Sequence, residues 1–295
     1  MIDSYEGITD VVEDNRNDRS RFVGCLLRLA GHDFMDFRND DENMGGADGC
    51  VSFEDADNKG LDTCLVQFDI ASILKQHEDD ISVADFIVVA AQAAMARAAD
   101  SWDAEDPYKE GTLANKFMRA FKFGRQTLEE CSWNVGRMPN PERGCRGNGE
   151  GNGLEQIFVD HIYADYDFPW TMVAAISGAH TIGRASAAES GYDGHWSKSE
   201  DQGKFNNAYY KNLLYQGWGA DLAVNGNEAK NQWKRIDEGA EDATHKEMML
   251  NTDMCLLYTS NKDWRKCNRK YAKQNGKDAY DYSTRKDECN MNILD

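Results

Sequence analysis

Arg28 and His32 stand four residues apart in SRFVGCLLRLAGHDF, a spacing that sets both on one face of a helix, one turn from each other. An imidazole so placed can take a proton from an incoming substrate and return it to a leaving oxygen, while the guanidinium stabilises the charge that develops. A surface arginine and a hydrogen-bonded core histidine satisfy the same spacing. His180 lies near the middle of MVAAISGAHTIGRA. That run is too apolar for a solvent-facing histidine, and its small residues let something flat approach. Such a setting suits an imidazole that ligates iron from one side, although in isolation a core histidine bonded to the backbone fits as well. The acidic loop NDDENMGGADG, with two adjacent glycines, can wrap a hard cation in carboxylate and carbonyl oxygens. A solvated turn has the same composition.

The elements that must carry these groups read as helices. SRFVGCLLRLAGHDF, SVADFIVVAAQAAMARAAD, GLEQIFVDHIYADY, TMVAAISGAHTIGRA and NNAYYKNLLYQGW each place apolar residues three and four apart, whereas strand-like alternation is scarce. Four prolines, no evident repeat and glycine-containing loops around 39–50 and 143–153 predict a mostly helical domain. With 295 residues, 41% of them hydrophobic, the chain can bury a substantial core as one large domain or two joined lobes. Its 33 basic and 52 acidic residues give a net charge of −19, spread along the chain. Nucleic acid and anionic membranes are poor partners for such a surface, which repels both, while a cationic protein could be steered to it. No uninterrupted apolar run reaches about 18 residues, and the N-terminus is polar and acidic, so neither a membrane span nor a signal peptide is expected. A mature chain whose leader had been removed would look the same. Eight cysteines without a CxxC pair point to disulfides in an oxidising compartment rather than zinc. Cys131 with Cys145 is the most natural local pair, and the other pairings stay open.

Six words in order, RLAGHD (28–33), GGADGC (45–50), MVAAISGAHTIGRA (172–185), SGYDGHW (190–196), FNNAYYKNLL (205–214) and MMLNTD (248–253), resemble the haem peroxidases of the plant, fungal and bacterial superfamily. The resemblance runs from about Ser20 to about Lys270. It implies a mainly α, two-lobed fold clasping haem b between the lobes, as one domain over 1–295: a distal lobe over about 15–140, a proximal lobe over about 150–270, and a cysteine-containing extension over about 271–295. It further implies reduction of hydrogen peroxide through a ferryl intermediate, with one-electron donors such as small phenolics or a cationic redox protein. Arg28 and His32 then act on peroxide, Asn58 orients His32, and His180 ligates iron. Trp196 and Asp253 fall where the intracellular class, that of cytochrome c and ascorbate peroxidases, has a proximal tryptophan and the carboxylate bonded to the ligating histidine. That class points to an intracellular or organellar location, against the cysteine content. Arg125 and Arg137 resemble positions near the haem entrance and propionates.

The resemblance to the secreted classes implies a distal calcium held by Asp33, the Gly46 carbonyl, Asp48 and position 50, here Cys50, a poor calcium ligand. Thr181 and Asn206, with Ser197 or Ser199, match a weak proximal cation site. Gly31 replaces a bulky aromatic before the distal histidine, which implies a larger, wetter pocket. Glu189 stands where ascorbate-using enzymes place an arginine, and its carboxylate would repel that anion. Two other expectations follow from these departures: a peroxidase-fold interaction subunit with weak or lost turnover, and peroxygenase-like oxygen transfer through the space at Gly31.

Overall fold

The computed structural model describes residues 15–99, 102–142, 145, 152–235, 246–260 and 291–293. The chain divides into two compact units, one made of 1–137 with 200–206, the other of 138–199 with 207–295. The described residues are mainly helical, as expected, with the named strands confined to the second unit.

In the first unit, helix α1 (Asn15–Phe34) buries Phe22, Val23, Leu26 and Leu29, the three- and four-residue spacing that makes one apolar stripe. A 3-10 turn (Ala56–Asn58) and two short helices, α2 (Leu61–Gln67) and α3 (Ile70–Lys75), follow. Helix α4 (Val83–Arg97) starts where the Ser82 side chain accepts the Asp85 amide, a side-chain cap on an otherwise unpaired donor. Its buried Ala84, Ala90, Ala91 and Ala94 allow it to pack closely against α1. Leu29, Leu61 and Ile87 form one core cluster where α1, α2 and α4 meet, each apolar side chain contributing roughly 1.5–3 kcal/mol on burial. Gly49, with φ +75, lies against the start of α4 so tightly that a Cβ would come 2.8 Å from the Ala84 nitrogen. Only glycine fits there. Helix α5 (Leu113–Ala120) is capped by Thr112, which accepts the Asn115 amide.

In the second unit, α6 (Leu154–Ile157) runs into a π-helical turn (Phe158–Ile162). Helix α7 (Pro169–Ser177) has proline in its first turn, where no amide is needed, and tightens into a 3-10 turn (Gly178–Thr181) that carries His180. After α8 (Ala208–Tyr215) comes an antiparallel sheet of β1 (Trp218–Leu222), β2 (Asn231–Arg235) and β3 (Met248–Met249), with Ala220 opposite Trp233 and Trp233 opposite Met249. This sheet is not evident in the sequence, because WGADL and NQWKR lack clean alternation. Helix α9 (Asn251–Met254) carries Asp253. The backbones of β4 (Tyr258–Ser260) and β5 (Met291–Ile293) pair antiparallel.

Among the described residues the disulfides are Cys25–Cys64, Cys50–Cys131 and Cys145–Cys255, which corrects the local pairing of Cys131 with Cys145. Asn134, in the turn that follows Cys131, donates to the Cys50 carbonyl at 3.0 Å, so Cys131 is fastened beside Cys50. Cys145 belongs to the other unit, where its carbonyl accepts the Glu155 amide at 2.7 Å. Short sequence separation does not decide pairing when the chain passes between units. Cys267, Cys289 and most of the expected C-terminal extension lie outside the described residues. No helix among the described residues is long and apolar enough to cross a membrane.

Candidate functional site

Of the groups singled out in the sequence, Arg28, His32 and Asn58 form one set in the first unit, and His180, Trp196 and Asp253 form another in the second. In the first unit, His32 Nδ1 lies 2.7 Å from Asn58 Oδ1, and Asn58 Nδ2 donates to the Ser52 carbonyl at 2.7 Å. With its amide nitrogen committed as donor, Asn58 can only accept from His32. The imidazole proton is therefore held on Nδ1 and Nε2 is the basic nitrogen. Arg28 Nη2 donates to the Asp57 carbonyl at 2.7 Å, one residue from Asn58, so one short turn orients both groups. That turn begins at Asp55, whose carboxylate accepts the amides of Asp57 at 2.9 Å and Gly136 at 2.8 Å. A Cβ at Gly31 would meet only Met35 Cε, at 3.7 Å, an ordinary contact, so the helix has room for a methyl group one residue before His32.

The glycine-rich loop gathers buried carboxylates. Asp33 and Asp36 are buried, and Asp36, missed in the sequence, accepts the Gly46 amide at 2.7 Å. Burial, then the Asp48 and Asp36 charges, push the Asp33 carboxyl up to about 8, and burial pushes Asp36 to about 6. One oxygen of Asp36 and one of Asp48 are buried without a hydrogen-bond partner, as expected where a cation or proton is wanted. Cys50 is not a ligand: its sulfur is bonded to Cys131. Among the described residues no three histidine, cysteine or acidic side chains are arranged to hold a metal ion. Arg137 braces this loop, donating to the Asn43 carbonyl at 2.6 Å, pairing with Asp41 and lying over Trp133. Arg125 pairs with buried Asp85 at 2.8 Å.

The second unit centres on Asp253, which is 2% exposed. Its Oδ1 lies 2.7 Å from His180 Nδ1 and accepts the Tyr209 hydroxyl at 2.8 Å. Its Oδ2 accepts Trp196 Nε1 and the Leu250 amide, both at 2.7 Å. Burial alone would raise this carboxyl, but the His180 charge and these donors outweigh it and hold Asp253 below the ordinary value. The rings of His180 and Trp196 stack at 4.2 Å and 18°, and Tyr209 meets His180 edge-on at 5.9 Å. Tyr209 was not singled out in the sequence. The available signal was a helical tyrosine whose buried hydroxyl needs a partner. Burial and the neighbouring Asp253 charge push its phenol well above the usual value.

The weak proximal cation set is not gathered in one unit, since Thr181 belongs to the second and Asn206 to the first. Ser197 donates to the Thr181 carbonyl at 2.8 Å, and Ser199 lies 3.4 Å from His195 Nε2. Glu189 is partly exposed on the turn after Ser186.

A family model described as "Peroxidase" matches residues 8–274. The chain is similar to the mitochondrial cytochrome c peroxidase of Yarrowia lipolytica, 26% identical over 91% of this chain and 68% of that protein. It is similar to a Candida albicans protein named "Putative heme-binding peroxidase", 26% identical over 94% of this chain and 82% of the relative. With L-ascorbate peroxidase 3 of Arabidopsis thaliana it shares 27% identity over 64% of this chain and 55% of the relative.

Proposed function

The chain belongs to the peroxidase family, as a haem peroxidase acting on hydrogen peroxide, and from that premise we propose that His180 ligates the iron while Arg28, His32 and Asn58 handle peroxide. The observation that carries this reading is the pair of fixed imidazoles. In each, Nδ1 is bonded to an oxygen, Asn58 for His32 and Asp253 for His180, so each presents Nε2 to its chemistry. The residues fit the cofactor. His180 Nε2 has no hydrogen-bond partner among the described residues, and the side chain keeps 36% of its surface although Asp253 behind it is buried. A carboxylate behind a ligating imidazole fixes its tautomer and makes it a stronger donor to iron. The cofactor we propose is haem b, held without covalent attachment, and the lack of a CxxCH word in the sequence is in keeping with that.

When bound at His180, haem would supply the redox chemistry, accepting the oxidising equivalents of peroxide and passing them on to donors. The residues of the chain do the rest. His32 Nε2 accepts the proton of the near peroxide oxygen and delivers it to the far one as that oxygen leaves as water. Asn58 keeps Nδ1 protonated through both transfers. Arg28, aligned by the Asp57 carbonyl, stabilises negative charge on the departing oxygen. Trp196, stacked on His180 and tied to Asp253, is the group through which an electron from outside passes inward. The net charge of −19 favours a cationic redox protein as donor, with small phenolics the other class. A calcium ion held by Asp33, Asp48 and the Gly46 carbonyl, without Cys50, completes the proposal.

The test is stopped-flow mixing of the haem-loaded chain with peroxide beside His32→Leu. Loss of a general acid–base predicts a rate lower by about 10²–10⁴-fold, and equal rates reject the assignment. A second reading, oxygen transfer to an organic substrate, is favoured by the open backbone at Gly31. Peroxide oxygen found in the product would select it.

A further inference from the structure

The segment from Cys50 to Asn58 carries a contact that orients each member of the peroxide-handling pair: Asn58 Oδ1 for His32 and the Asp57 carbonyl for Arg28. It is otherwise a loop closed by a single 3-10 turn, too short to hold itself in place. What fixes it lies about eighty residues further along the chain. The Cys50–Cys131 disulfide joins its first residue to the start of the turn Ser132–Asn134, Asn134 donates to the Cys50 carbonyl at 3.0 Å, and the Gly136 amide donates to Asp55 at 2.8 Å. Ahead of Cys50, the Leu128 amide donates to the Asp48 carbonyl at 3.0 Å. All of these residues belong to the first unit. One covalent bond and two hydrogen bonds thus tie the segment down, a third hydrogen bond fastens Asp48 just ahead of it, and the covalent bond sits at its root.

We propose that the Cys50–Cys131 disulfide is a positioning element for the peroxide reaction, holding Asn58 and the Asp57 carbonyl where they orient His32 and Arg28. The orienting role rests on the peroxidase reading of those two residues; the anchoring of the segment does not. The bond also makes the geometry sensitive to thiols. Cys50 is buried while Cys131 is partly exposed, so the thiolate of a dithiol reductant attacks the Cys131 sulfur. A mixed disulfide forms there and Cys50 leaves as thiolate. The second thiol of the reductant then closes its own disulfide and frees Cys131, so that two electrons and two protons have moved to the protein.

Hydrogen exchange on the haem-free full chain tests the anchoring. In Cys131→Ser the amides of residues 52–58 exchange faster than in the wild type, while those of α4 are unchanged. Should Cys131→Ser not fold, Asn134→Ala, which removes the bond to the Cys50 carbonyl together with the Asn134 bond to the Asp36 carboxylate, accelerates the same amides. In the haem-loaded protein Cys131→Ser lowers the peroxide rate on the order of tenfold or more, as misplacing a catalytic group does, with haem uptake unaltered. The loss is smaller in an Asn58→Ala background, because both changes act on the same contact. Dithiol treatment brings the wild type to the level of Cys131→Ser, and reoxidation restores it. Unchanged exchange at 52–58 overturns the anchoring, and faster exchange with an unchanged peroxide rate overturns the positioning role. A wild type that reacts no faster than His32→Leu defeats the peroxidase reading itself, and the exchange result still decides whether the disulfide anchors the segment.

Discussion

Asp253 shows how much chemistry one buried carboxylate can organise. Each of its oxygens takes two donors, and three of the four come from the rings of His180, Trp196 and Tyr209. Hydrogen bonds to a charged acceptor contribute about 1.5–3 kcal/mol each. Tyr209→Phe keeps the packed ring and deletes only the hydroxyl, so the haem-free chain should lose roughly that amount, read from the urea midpoint at neutral pH. A loss under about 0.5 kcal/mol would mean that the other three donors satisfy the carboxylate by themselves. His180 was legible in the sequence because an apolar run around a histidine asks for an explanation, and Asp253 was legible from the word that contains it. Tyr209 was not. A tyrosine on a helix looks like ordinary core until the partner of its hydroxyl is known, and that partner is 44 residues away.

At the scale of elements, the helices were legible because α1 and α4 keep their apolar residues three and four apart. The sheet β1–β2–β3 was not, since its register is set by burial of Trp233, whose indole donates to Asn251 at 2.9 Å, rather than by local alternation. Cysteine pairing was equally hidden, because it follows from how distant segments pack. The loop between α1 and the Asn58 turn gives a direct test of the cation. Calcium in excess should raise the thermal midpoint, the stabilisation reaching about 2.7 kcal/mol at a hundred times its dissociation constant, and Asp48→Asn should abolish the shift. A midpoint indifferent to calcium and to chelator would show that backbone amides and the disulfide hold the loop alone.

Across the whole molecule, the charge of −19 favours solubility, while buried titratable groups set the response to pH. Burial holds the His195 imidazole below its ordinary value, against the Ser197 carbonyl and the Glu247 charge. The folded chain therefore stays neutral at His195 where the unfolded chain already binds a proton. Stability from this residue is complete above about pH 6.5 and is lost as pH falls below it towards the folded value. Asp33 and Asp36, whose folded values are raised to about 8 and about 6, act in the opposite sense, since protonation on acidification favours the folded state. The informative quantity is thus a difference. Between pH 7.5 and 5.5 the urea midpoint of the wild type should fall relative to that of His195→Gln, and parallel curves would remove His195 from the account.

The seven residues Glu200–Asn206 belong to the first unit although the chain on either side of them belongs to the second. Within the first unit, Ser20 donates to the Gln202 carbonyl at 2.9 Å and the Phe205 amide donates to the Ala98 carbonyl at 2.8 Å. On a chain made from its N-terminus, α1 and α4 are complete long before this strap is synthesised. The unit that carries Arg28 and His32 must therefore wait, with the Ser20 hydroxyl not yet paired by Gln202, until residues 138–199 of the other unit, about two fifths of it, have preceded the strap off the ribosome.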